Sequence, residues 1–153
     1  MSNGRVTAIH IAAKSGEMPA PIDVATMEVG LGIRGDRNWA RAKDGGLDDP
    51  GEEVTFIEQE ALDAIRRENG MELSPAESRR NILTEGVALN HLVGRRFRVG
   101  GAEFEGVELC EPCGYLEKMT FSGVVKALLH RGGLRARVVT GGDVRPGDEF
   151  EAA

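Results

Sequence analysis

Arg96-Phe97-Arg98-Val99-Gly100-Gly101-Ala102-Glu103-Phe104-Glu105-Gly106-Val107-Glu108-Leu109 is the stretch that decides the fold class. From Glu103 to Leu109 polar and apolar residues alternate, the period of a half-buried strand. Gly100-Gly101 offers a tight turn before that run, so Arg96 to Leu109 predicts a β-hairpin. The run leads straight into Cys110-Glu111-Pro112-Cys113-Gly114, which holds the only two cysteines of the chain. A turn there presents a thiol just past a strand end, where a rigid loop can hold one sulfur for chemistry.

Working outward, short strands recur on both sides of this hairpin. Val6 to Ala12, Ile22 to Val29, Val54 to Ile57 and Asn81 to Thr84 read as strands. Leu134 to Thr140 and then Val144 to Phe150 read as closing strands, with Pro146-Gly147-Asp148 as a turn between short runs. Gln59 to Asn69 is the clearest helix, with Ala61, Leu62, Ala64 and Ile65 as its apolar stripe and Gly70 as its stop. Ser122 to His130 predicts a second helix, capped by Ser122 and burying Val124, Val125, Leu128 and Leu129. Ala88 to Val93 predicts one helical turn closed by Gly94, and Lys43 to Glu53 an exposed polar loop. Many short strands with two helices predict a mostly β, α+β domain of barrel-like form. The pattern is not βαβ, which argues against a doubly wound nucleotide fold.

At 153 residues the chain predicts a single domain over 1–153 with its core at about 5–150. A net charge of −6 argues against bulk nucleic-acid binding. No apolar run approaches a membrane span, and Met1 to Arg5 leads into a strand pattern without a signal-peptide core, so the expected place is the cytoplasm. Two cysteines make no disulfide framework, which fits a reducing compartment and a reactive or ligating thiol. Fifteen of the 19 basic residues are arginine, the better bidentate partner for phosphate or carboxylate.

The spacing of Cys110 and Cys113 leaves several readings open, and two inert core cysteines are the plainest of them. A structural zinc site needs further ligands, and His10, His91 and His130 are isolated in the sequence. A thioredoxin-type redox pair belongs in a βαβ context that the upstream pattern lacks. Gly30-x-Gly32-x-x-Gly35 matches a dinucleotide pattern on paper, but no helix pattern follows it, so it reads as a sharp turn beside Asp36 and Arg37. Strict strand alternation puts Arg79 and Asn81 on one face and Arg80 on the other. A guanidinium beside a carboxamide suits a phosphate or the edge of a pterin-like ring, and an ordinary polar strand entry explains the same residues. His130 and Arg131 before Gly132-Gly133 read as a helix end that complements the helix dipole.

Taken in order, these pieces resemble the MOSC domain family, named for the C-terminal domain of molybdenum cofactor sulfurase. The resemblance rests on Gly32 to Arg37, Val54 to Ile57, Arg79 to Gly86, Leu89 to Gly94, Cys110 to Cys113, Arg131 to Gly133 and Pro146 to Asp148. It implies a β-rich, barrel-like fold and a functional cysteine, Cys113, that either ligates molybdenum in a pterin cofactor (molybdopterin) or carries a persulfide. Cys110 is an addition to the family pattern. Arg79 and Asn81 match the family's cofactor-lining arginine and asparagine, and Asp36 and Arg37 match the element beside that site. The family also carries an association with pyridoxal phosphate. Larger relatives reduce N-hydroxylated small molecules. This chain shows no added iron–sulfur or flavin domain, so that activity implies a separate electron-donor reductase. The metal-free alternative is a sulfur carrier fed by a cysteine desulfurase.

Overall fold

The computed structural model of the chain describes residues 4–46 and 49–152. In chain order the elements are β1 (Arg5–Ile11), β2 (Ala20–Pro21), β3 (Ala25–Glu28), β4 (Gly32–Ile33), α1 (Arg37–Lys43), β5 (Val54–Glu58), α2 (Gln59–Asn69), β6 (Ile82–Glu85), β7 (Arg96–Val99), β8 (Ala102–Leu109), α3 (Gly114–Met119), α4 (Val124–Ala127), β9 (Leu134–Thr140), β10 (Gly142–Val144) and β11 (Phe150–Ala152). Pro50–Glu52 and Leu89–Leu92 are single 3₁₀ turns.

Eight strands form one sheet in the order β11-β7-β8-β9-β5-β6-β1-β2, and β10-β3-β4 form a second. The fold is therefore mixed α+β. The barrel expected from the sequence is not found, because the end strands β11 and β2 do not pair. The sheet curls enough for the start of β1 to meet the segment before β11. An isolated bridge joins Arg5 to Glu149, and the Val6 amide donates to the Asp148 carbonyl at 2.8 Å. Pro146 and the turn after it interrupt pairing there, which is also why the strand expected over Val144 to Phe150 is instead the connection between β10, which ends at Val144, and β11, which begins at Phe150.

A second correction concerns topology. β5 and β6 pair in parallel, so α2 is a crossover helix and the chain does hold one βαβ unit. The other pairings between named strands are antiparallel. A single parallel pair inside an antiparallel sheet leaves no periodic strand–helix signature. Its consequence shows in burial: Val54 to Ile57 is buried without a break because both faces of β5 are covered. Phe56 points into one core with Phe97, Phe104 and Phe150, at ring-centroid distances of 5.7, 5.4 and 6.0 Å. Ile57 points into the other, with Leu62 and Ile65 of α2, Leu116 of α3 and Val124 and Leu128 around α4.

The hairpin at Gly100-Gly101 forms as expected, and β8 then pairs with β9 down to Leu109 opposite Leu134. Everything from Cys110 to Gly133 is thus carried as an insertion between two central strands. The second predicted helix is cut to the four residues of α4. Gly123, not Ser122, caps it at φ +94°, and Leu129 is exposed. Its end is set by His130, whose backbone turns left-handed at φ +63° and points its amide at Glu111. A helix absent from the sequence reading, α1, follows Gly35, capped by Asp36. In the expected loop from Lys43 to Glu53, residues 47 and 48 lie outside the described residues, while Gly51 and Glu53 are buried.

Candidate functional site

One cleft of about 340 Å³ gathers both cysteines with four arginines. Its lining includes Arg37, Arg79, Arg80, Arg135, Cys110, Cys113 and Tyr115, and among the described residues no carboxylate lines it. These seven side chains arrive from five places in the chain. Arg37 opens α1, Arg79 and Arg80 precede β6, the cysteines follow β8, Tyr115 lies on α3, and Arg135 lies on β9.

Arg37 is fixed by its own backbone, whose amide donates to Ala12 O at 2.7 Å. Its guanidinium, only 17 % exposed, reaches Asp36 Oδ1 at 3.4 Å and Arg79 O at 3.5 Å. Both contacts are long. Burial pulls this guanidinium below its ordinary value; Asp36 opposes the shift and the Arg79 charge adds to it. A partly buried cation held this loosely, beside a second cation, has hydrogen-bonding capacity left for an anion.

Asp36 sits behind the lining and is fully buried. Its Oδ1 accepts from the Ala12 amide at 3.1 Å and its Oδ2 from the Asn38 amide at 3.3 Å. It therefore caps α1 and anchors β1 to the Arg37 turn. Arg79 lies at φ +62°, outside strand geometry, and its side chain leans over the Tyr115 ring at 5.7 Å while donating to Glu17 O at 3.0 Å. The left-handed backbone breaks the alternation expected of the sequence, so Arg79 reaches the cleft while Asn81 turns into the core, 2 % exposed.

Asn81 Oδ1 accepts from the Thr55 amide and hydroxyl, both at 3.1 Å, and its Nδ2 donates to His10 O at 3.1 Å. Thr55 itself lines the cleft, so Asn81 stands one residue behind the wall. His10, on the same strand crossing, is buried, and burial holds its imidazole below the ordinary value near 6.5. The folded chain thus resists a proton that the unfolded chain accepts, and stability falls as pH drops below about 6.5. Buried Glu53 and half-buried Glu58 are shifted upward by desolvation and act in the opposite sense as pH rises above their ordinary value. We expect His10→Gln to flatten the acid-side slope relative to the wild type in urea unfolding between pH 5 and 7; identical slopes would remove His10 from this role.

The two cysteines differ in environment: Cys110 is buried and Cys113 is exposed at the start of α3, and neither is in a disulfide. Of the sequence-predicted residues, the cleft brings together Cys113, Arg37 and Arg79, with Asp36 and Asn81 as their supports. Arg80, Arg135 and Tyr115 line it without having been singled out as site residues. Arg135 was readable only as one of an arginine pair on β9, and Tyr115, the sole tyrosine, follows Cys113 by two residues. Among the described residues no group of three or more His, Cys, Asp or Glu side chains is placed to hold a metal ion. No helix among them is long and apolar enough to cross a membrane.

Residues 45–151 match the MOSC domain family. Solved structures with the same fold include the YuaD protein from Bacillus subtilis, 20% identical, with a TM-score of 0.81 over 98% of this chain and 95% of that one. YiiM from Escherichia coli is 20% identical with a TM-score of 0.71, covering 97% of this chain and 69% of that one. YiiM from Geobacillus stearothermophilus is 13% identical with a TM-score of 0.76, covering 98% and 75%. A search of curated protein sequences finds no match.

Proposed function

This chain belongs to the MOSC domain family, and from that premise we propose that the arginine-lined cleft holds a phosphate-bearing molybdenum–pterin cofactor with Cys113 at its metal. The observation that carries the reading is the unbalanced charge of the lining: four arginines, one of them a loosely held, partly buried cation, and no carboxylate among the described residues. A volume of about 340 Å³ lies within the ~300–1,000 Å³ of small-molecule sites. The donor set fits the group: guanidinium forks for phosphate, a soft thiolate for the metal, and the polar Ser15 and Asn38 at the rim. When bound, the cofactor supplies a two-electron centre able to take oxygen from an N–O bond.

The chain's own residues bind and orient. Arg37, Arg79 and Arg135 hold anionic groups, and Tyr115 offers an aromatic face beside Arg79. The substrate class is an N-hydroxylated small molecule, reduced with two electrons and two protons to the amine and water. The electrons come from a separate reductase. No lysine lines the cleft among the described residues, so the chain offers no amine there to hold pyridoxal phosphate covalently.

The exposure of Cys113 favours a second reading. An exposed thiol is within reach of a partner desulfurase, whose persulfide passes its outer sulfur to the Cys113 thiolate and leaves as a thiolate. Elemental and pterin analysis of protein expressed with molybdate in a cofactor-competent host tests the first reading. We expect stoichiometric molybdenum and pterin in the wild type and at least a tenfold loss of both in Arg37→Met. No pterin in the wild type would overturn the cofactor reading, and gain of one sulfur mass at Cys113 from a desulfurase with cysteine would establish the second.

A further inference from the structure

Arg80 lies between the two residues that the family resemblance singles out, and no role is assigned to it. It is 8% exposed. Its Nε donates to Gly132 O at 2.8 Å, Nη1 to Ser78 O at 3.2 Å, and Nη2 to Cys110 O at 2.9 Å and Glu111 O at 3.5 Å. All four acceptors are backbone carbonyls, and among the described residues no carboxylate pairs with it. Burying a cation this way is costly unless its donors are all engaged, and here one planar fork engages three chain segments.

Those segments are the ones that place the thiol. The Cys110 amide donates to Gly133 O at 2.7 Å, so the cysteine turn and the Gly132-Gly133 turn lie against each other. Gly132 packs so closely that a Cβ there would stand 2.5 Å from Cys110 O. On the far side, the Glu111 carboxylate accepts from the His130 amide at 2.7 Å and lies 2.8 Å from His130 Nδ1. Cys113 follows two residues later as the first residue before α3. We propose that Arg80 is a positioning residue: it clamps the Cys110–Cys113 turn to the Gly132 turn and so sets the Cys113 thiol over the anion-binding part of the cleft, which rests on the reading of that cleft given above. Lysine cannot replace it, because one ammonium cannot span the Gly132, Cys110 and Ser78 carbonyls in a fixed plane.

The test is alkylation of the full chain by iodoacetamide, read at each cysteine by mass spectrometry, with and without inorganic phosphate. In the wild type we expect Cys113 to react, Cys110 to be protected, and phosphate to slow the Cys113 reaction. In Arg80→Lys we expect Cys110 to react at least tenfold faster and phosphate to lose its protection of Cys113, in a chain that still melts cooperatively. Phosphate protection is the readout that a merely structural role leaves unmoved, since Arg37, Arg79 and Arg135 are all retained. A folded Arg80→Lys that keeps both protections overturns the proposal. Wild-type Cys113 indifferent to phosphate counts against the anion cleft instead, and Cys110 exposure alone then decides for or against the clamp. Should Arg80→Lys not fold, hydrogen exchange in the wild type decides: a Cys110 amide that exchanges with the β9 core supports the clamp, and one that exchanges like an exposed loop overturns it.

Discussion

Cys113→Ser is expected to abolish both metal retention and sulfur loading while leaving the cleft's affinity for phosphate within about twofold of the wild type. Serine keeps the shape and the hydrogen-bonding capacity of the side chain. It lacks a polarizable thiolate, which is the soft ligand for a sulfur-bound metal and the nucleophile of sulfur transfer. The side chain is exposed and no hydrogen bond anchors it as a helix cap, so its loss removes little packing and the melting temperature should stay within a few degrees. The matching Cys110→Ser change has a different expected pattern. Cys110 is buried within the cleft wall, so its replacement alters a packed position and acts on stability before chemistry. Elemental analysis and desulfurase loading of both variants separate the roles. Molybdenum or persulfide retained in Cys113→Ser would remove Cys113 from the functional centre, and loss in Cys110→Ser alone would move that centre to Cys110.

The parts of this fold that were legible in sequence are those where one local signal decides the structure. α2 spans Gln59 to Asn69 as read, because its apolar stripe is complete and Gly70 adopts the left-handed cap at φ +69°. β9 spans Leu134 to Thr140 as read, with Leu134, Ala136 and Val138 alternating onto the buried face. α1 was illegible because it buries no residue and so has no stripe to read; its stability comes from the Asp36 cap and from the Trp39 indole, which donates to Glu28. α4 was over-read for the opposite reason. Val124 to Leu129 has a good apolar stripe, but His130 and Gly133 at positive φ, together with Glu111 capturing His130, end the helix early. The open sheet follows from pairing between ends of the chain, which no window of sequence carries. At the site, Cys113, Arg37 and Arg79 came through the family resemblance of their motifs, whereas the cysteine spacing by itself left two inert core cysteines as the plainest reading. The break in alternation at Arg79 was invisible, because it is a backbone choice made between the buried positions of Ser78 and Arg80 on either side.

Asn81→Leu is expected to destabilise the chain by about 3 kcal/mol or more, a large share of the ~5–15 kcal/mol that holds a domain of this size. The carboxamide is engaged at both ends, and leucine of similar volume removes both contacts at once. The Thr55 amide and the His10 carbonyl are then left in a buried strand crossing without their partner, at roughly 1–3 kcal/mol each. Thr55 Oγ1 loses its acceptor as well, and Thr55 lines the cleft, so the wall shifts along with the core. Asn81→Asp sharpens the test. Its carboxylate still accepts from Thr55, but it faces the His10 carbonyl with no donor and carries a charge into a site 2 % exposed. We therefore expect both variants to lose urea resistance, and Asp to lose less as pH falls toward the carboxylate range and the side chain protonates to a donor. The family resemblance gives this asparagine a place at the cofactor, and the two roles predict different data. A residue that touches the cofactor directly would lower pterin retention with an unchanged urea midpoint. A residue that acts through Thr55 lowers the midpoint first, and pterin retention falls only with it. An unchanged midpoint in Asn81→Leu would return Asn81 to the ligand and require the Thr55 contacts to be dispensable.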